Sequence, residues 1–122
     1  MNLRQRVRQA EDRQTAPSEL ERLAADPDVL VRWTVARNPA TPAAVLDRLA
    51  ADPAALVRGR VAQQRATPPA ALERLAADQD VLVRWYVAEH AATPAAALER
   101  LAGDPDRDVR QAAEAEAARR RA

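Results

Sequence analysis

The chain has no cysteine, no phenylalanine, no isoleucine and no lysine. Without cysteine there are no disulfides, no thiol nucleophile and no Cys-ligated metal or iron–sulfur centre. The aromatic residues are Trp33, Trp85 and Tyr86. A hydrophobic share of 48% is therefore carried by Ala, Leu and Val, which predicts a thin interior of closely packed helices rather than a bulky core. There are two glycines, so flexible corners are scarce. No apolar run reaches the roughly 18–20 residues that span a bilayer, and the first ten residues are polar, without the apolar stretch of a secretory leader. A soluble, cytoplasmic protein is expected, with no cofactor and no metal.

All 19 basic residues are arginine. Beside abundant Ala and Pro, this pattern points to a GC-rich bacterial genome, which discounts arginine as a phosphate-binding signal. Charge placement agrees. Residues 1–14 hold four Arg against two acids, and residues 114–122 hold three Arg against two Glu. The twelve Arg between them meet fourteen acids. A broad basic stripe is not indicated.

What the chain does have is a period. Thr15, Thr41, Thr67 and Thr93 lie 26 residues apart, as do Leu23, Leu49, Leu75 and Leu101. Asp26, Asp52, Asp78 and Asp104 follow the same step, and so do Arg32, Arg58, Arg84 and Arg110. A fixed period of this length marks a stacked array in which each unit buries its apolar face against its neighbours. The units are 15–40, 41–66, 67–92 and 93–113. Residues 1–14 form a capping half-unit, and residues 114–122 a basic helix end.

Within residues 15–40, Thr15 is a candidate N-cap and Pro17 suits a helix start. Leu20 and Leu23 give that helix its apolar side, and Asp26-Pro27 stops it. Asp26 could cap a second helix over about 28–37. On a wheel of 100° per residue, Leu30, Val31, Thr34 and Val35 form one buried stripe, with Trp33 nearly opposite. Asn38-Pro39 ends this helix at a corner compatible with a 3₁₀ turn. Nine prolines supply stiff corners, and Glu116 and Arg120 form an i, i+4 pair in the last helix.

The string NPATPAAVLDRLAADPAALVR, residues 38–58, closely resembles the leucine-rich repeat variant family of bacteria. Its pattern is Asn-Pro-x-Thr-Pro, Leu-x-x-Leu-Ala, Asp-Pro and Val-Arg, and it recurs at 66–84, 92–110 and, more loosely, 15–32. The resemblance implies an all-α, right-handed superhelix: a solenoid of about four two-helix repeats, HEAT-like, with shorter helices that are often 3₁₀. It implies Asp-x5-Arg pairs that stack between units. It implies no common catalytic activity, and proteins of this kind are generally interaction scaffolds.

Asp26, Arg32, Asp52, Arg58, Asp78, Arg84, Asp104 and Arg110 are thus expected to form a structural ladder, each Arg bonding the Asp of its own or the adjacent unit. Positions that break the repeat point to function instead. The column of Trp33 continues as Gly59, Trp85 and Gln111, and one turn on stand Arg37, Gln63, Glu89 and Ala115. Two readings stay open: exposed Trp anchors flanking a side-chain-free gap, or Trp rings lying flat along the helix seams. The first gives a partner face of Trp33, Arg37, Gly59, Arg60, Gln63, Trp85, Tyr86 and Glu89, extended by Gln64, Arg65 and His90. His90 stands alone, which suits a surface or capping role. No nucleophile-elbow, zinc-protease, P-loop or dinucleotide motif occurs. The expectation is a non-catalytic module for a protein or peptide partner. Nucleic acid held by arginines, or a small molecule held between the tryptophans, are the alternatives.

Overall fold

The structure, a computed structural model, describes residues 1–122. It is all-α, with nine helices and no strand. The odd helices are α1 (Leu3–Glu11), α3 (Val29–Arg37), α5 (Ala55–Gln63), α7 (Val81–Glu89) and α9 (Arg107–Arg121). Between them lie the seven-residue helices α2 (Pro17–Leu23), α4 (Ala43–Leu49), α6 (Pro69–Leu75) and α8 (Ala95–Leu101). Each odd helix packs on the next odd helix, whereas the even helices pack on their flanking odd ones. This nearest-neighbour layering is an α-solenoid. The odd helices are the more closely spaced layer, which makes theirs the inner side of the array.

Small side chains allow that spacing. Ala10, Ala36, Ala62, Ala88 and Ala113 are fully buried along the odd layer. Leu23, Leu49, Leu72, Leu75, Leu98 and Leu101 from the even helices join Val31, Val35, Val57, Val61, Val83 and Val87 from the odd ones in a continuous thin core. No helix is long and apolar enough to cross a membrane.

Four local expectations are corrected. The unit-opening threonines are not N-caps: α2, α4, α6 and α8 are capped by Ala16, Pro42, Pro68 and Pro94, without a side-chain bond. Proline already holds the required backbone angle there. Each threonine hydroxyl instead donates backwards by six residues, to the carbonyls of Gln9, Val35, Val61 and Val87 at 2.6–2.7 Å. It thereby serves the end of the preceding odd helix. Asp26 does not cap α3, because the cap is Asp28, which accepts from Leu30 N–H at 2.8 Å. Asp26 accepts from Asp28 N–H and shapes the corner. The short helices are α rather than 3₁₀, whereas the corner after Asn38 is the expected 3₁₀-type turn, a single one closed from Thr41 N–H to Asn38 C=O. Finally, Leu30 is not buried but 45% exposed.

Candidate interaction face

The array has four sides, and three are closed by bonds within the chain. On the outer layer, Arg48, Arg74 and Arg100 reach Glu21, Asp47 and Glu73 of the preceding even helix. These exposed pairs are worth at most about 1 kcal/mol each.

The second side, at the N-terminal ends of the odd helices, carries the arginine ladder. Each arginine bonds in two directions. Arg32 Nε donates to Asp52 at 2.8 Å, Arg58 to Asp78 at 2.7 Å and Arg84 to Asp104 at 2.8 Å, each into the next unit. Their Nη1 groups donate to the backbone carbonyls of Asp26, Asp52 and Asp78, respectively, in their own units at 2.8–2.9 Å. The ladder begins one unit earlier than the Asp-x5-Arg spacing suggests, with Arg6 on Asp26. It ends at Arg110, which reaches only the carbonyls of Asp104 and Pro105. The carboxylates hold the Arg58 and Arg84 guanidiniums more firmly protonated than usual, Asp78 and Asp104 acting through direct hydrogen bonds. Burial pushes Asp104 up, but its bonds to Arg84 and to the Asp106 backbone outweigh this and hold it below the ordinary range.

The third side, at the C-terminal ends of the odd helices, holds a second ladder that the repeat pattern conceals because its residue type changes. Asn38 donates to the carbonyls of Ala10 and Asp12 at 2.9 and 3.0 Å. Gln64 donates to those of Ala36 and Asn38 at 3.0 Å. His90 Nε2 lies 2.8 Å from the Gln64 carbonyl, and its Nδ1 accepts from Ala92 N–H at 3.0 Å. These partners fix the tautomer with the proton on Nε2. In the next unit the column holds Glu116, which cannot donate. Arg120, bonded to Glu116, supplies the contact to the His90 and Ala91 carbonyls. Burial pushes Glu116 up, but Arg119 and Arg120 outweigh it and keep the carboxyl below its usual range. Gln64 and His90 thus belong to this edge and not to the partner face.

The fourth side is the solvent-facing surface of the odd helices, and it is open. Leu30, Leu56 and Leu82, one 26-residue step apart, stand 45%, 63% and 54% exposed. Three residues on come Trp33, Gly59 and Trp85, and after another turn Arg37, Gln63 and Glu89. The spacing i, i+3, i+7 puts each set on one helix face.

Trp33 and Trp85 lie between the two open readings: both are half-buried against the core while bordering open hollows. Arg37 sits over the Trp33 ring at 5.7 Å, within cation–π range. Trp85 meets Tyr86 edge-on, with centroids 5.3 Å apart. Gly59 itself is buried. Its missing side chain leaves a hollow of about 250 Å³ lined by Trp33, Leu56, Gln63, Leu82 and Tyr86. A methyl group there would meet Tyr86 and Val83 at 3.8–3.9 Å, an ordinary contact, so alanine fits and only larger side chains would fill the hollow. A second hollow of about 610 Å³ opens between α7 and α9, bounded by Leu82, Trp85, Glu89, Asp106 and Asp108.

Arg60 and Tyr86, expected on the face, sit half-buried at its floor. Arg60 bonds Gln63 at 2.9 Å, but its Nε has no hydrogen-bond partner. Burial first, and the neighbouring Arg37 second, push its pKa down. Arg65 lies exposed in the corner turn. The expected set omits Leu30, Leu56 and Leu82, although the same 26-residue step applied to Leu30 finds them.

The leucine-rich repeat variant family model matches residues 29–54 and 81–106. Two segments of the chain are thus similar to leucine-rich repeat variant repeats. Each matched segment runs from an odd helix through the following even helix to the next corner. It thus contains one threonine bolt, one position of the carbonyl-binding column and one ladder aspartate. No curated protein and no solved structure gives a match to this chain.

Proposed function

We propose that the chain is a non-catalytic, cytoplasmic repeat scaffold that binds a protein or peptide segment on the solvent-facing surface of its odd helices. One observation carries this reading. That surface alone combines large exposed apolar side chains, half-buried tryptophans and charges without partners, the residue types concentrated at interaction hot spots. The other three sides spend their polar groups on stacking.

The polar groups elsewhere favour the non-catalytic reading. The threonine hydroxyls at the unit starts and both nitrogens of His90 are engaged by the backbone. The face mixes Arg37 and Arg60 with Glu89 and Asp108, which weighs against a nucleic-acid backbone as occupant. The test is titration of a peptide library by isothermal titration calorimetry, comparing the wild type with Trp33→Ala/Trp85→Ala. Loss of binding by at least about tenfold, with the helical content retained, is expected if tryptophan anchors dominate. Unchanged binding by the double variant would overturn the reading.

A further inference from the structure

On the odd-helix surface, arginines predominate at the α1 end and carboxylates at the α9 end. The first-turn column reads Arg4, Leu30, Leu56, Leu82 and Asp108 from α1 to α9. The last-turn column reads Glu11, Arg37, Gln63, Glu89 and Ala115 from α1 to α9, so Glu11 alone breaks the order. Arg8, Arg13 and Arg37 border one polar hollow between α1 and α3, shared with Glu11 and Asp12, and Arg60 stands beside Arg37. None of Arg4, Arg8, Arg37 and Arg60 forms an ion pair. At the other end, Glu89, Asp106 and Asp108 surround the hollow beside Trp85, and none of them pairs with an arginine either. Between the two ends lie the exposed leucines and the Gly59 hollow.

We propose that the segment bound here is bipolar: acidic over α1, α3 and α5, apolar in the middle, and basic over α7 and α9. This rests on the peptide-binding reading above and adds the partner's chemistry and placement. Charge complementarity sets the ends, since an arginine or carboxylate covered by the occupant gains only when the occupant supplies the opposite charge. Side-chain volume sets the middle, because the hollow at Gly59 accepts one large apolar residue flanked by Trp33 and Leu82. Adjacent helices are about 8–10 Å apart, so crossing from α1 to α9 takes roughly ten to twelve residues of extended chain.

The test uses synthetic twelve-residue peptides with one shared leucine- and tryptophan-containing centre. Their flanks are acidic and basic, both acidic, or both basic. Affinities for the full chain are read by fluorescence anisotropy. The bipolar peptide is expected to bind at least about tenfold more tightly than either uniform one. The surface variant Arg4→Glu/Arg37→Glu should shift the preference to the basic-flanked peptide, and Glu89→Arg/Asp108→Arg to the acidic-flanked one. All four positions are exposed and outside both ladders, so circular dichroism should show a retained fold. If all three peptides bind equally and neither swap changes the order, the bipolar assignment falls while peptide binding stands. If no peptide binds and the chain instead dimerises in light scattering through this face, both readings fall.

Discussion

Arg58 holds two units at once, donating from Nε to Asp78 at 2.7 Å and from Nη1 to the Asp52 carbonyl at 2.9 Å. One guanidinium thus fixes its own corner and the corner of the next unit, which a lysine ammonium cannot do with the same fork. The pair is nearly buried, with 11% and 8% of the two side chains exposed. Removing one partner leaves a charge without compensation. Arg58→Ala is expected to cost about 2–4 kcal/mol, read as a shift in the denaturant midpoint. Arg110→Ala, which loses only carbonyl contacts, should cost less than half as much. Equal costs would show that the bridge between units contributes nothing.

His90 occupies a position where the preceding units use Asn38 and Gln64, and it acts as they do. Its Nε2 serves a carbonyl 26 residues back, and its Nδ1 accepts from the backbone two residues on. Asn38 likewise accepts from Ala40 N–H at 2.9 Å. His90→Asn should therefore keep stability within about 0.5 kcal/mol. His90→Ala should lose about 1 kcal/mol or more by removing both bonds to the backbone, one of them part-buried. Thermal unfolding of the two variants distinguishes them, and equal losses would contradict the capping role.

Stability should fall in acid. Asp104 and Glu116 both have folded pKa values below their ordinary ones, held there by arginines against the effect of burial. Their contribution is complete above the unfolded values, about 4, and is lost as the pH falls through the lower folded values. Unfolding free energy should thus decline below roughly pH 4.5. In Asp104→Asn the remaining slope should be shallower, because one of the two groups no longer titrates. An unchanged slope in that variant would remove Asp104 from the pH dependence.

Much of the scaffold is legible in the sequence because the 26-residue period forces identical contacts: the leucine seams, the stacked Asp and Arg, the proline corners. The bonding direction was harder to see. Thr41 has the spelling of an N-cap and the geometry of a bolt on the previous helix, since Pro42 already supplies the helix entry. The column of Asn38, Gln64 and His90 was hidden because three side chains of different spelling perform one backbone-binding task. The face was half legible. Trp33, Gly59 and Trp85 stood out as exceptions, but Leu30 has the look of a core residue. Only the packing shows that Val31, Thr34 and Val35 fill the interior and leave Leu30 outside.

The odd-helix surface as the binding side is tested most directly by Leu56→Glu. Leu56 is the most exposed leucine of that surface, so the change should leave the unfolding midpoint nearly untouched. Placed beside the Gly59 hollow, the charge should weaken peptide binding by at least about tenfold, the scale of a lost hot-spot contact. Arg74→Glu on the outer layer should leave binding unchanged. Wild-type affinity in Leu56→Glu, with affinity lost instead in Arg74→Glu, would place the binding side on the even helices and contradict the assignment.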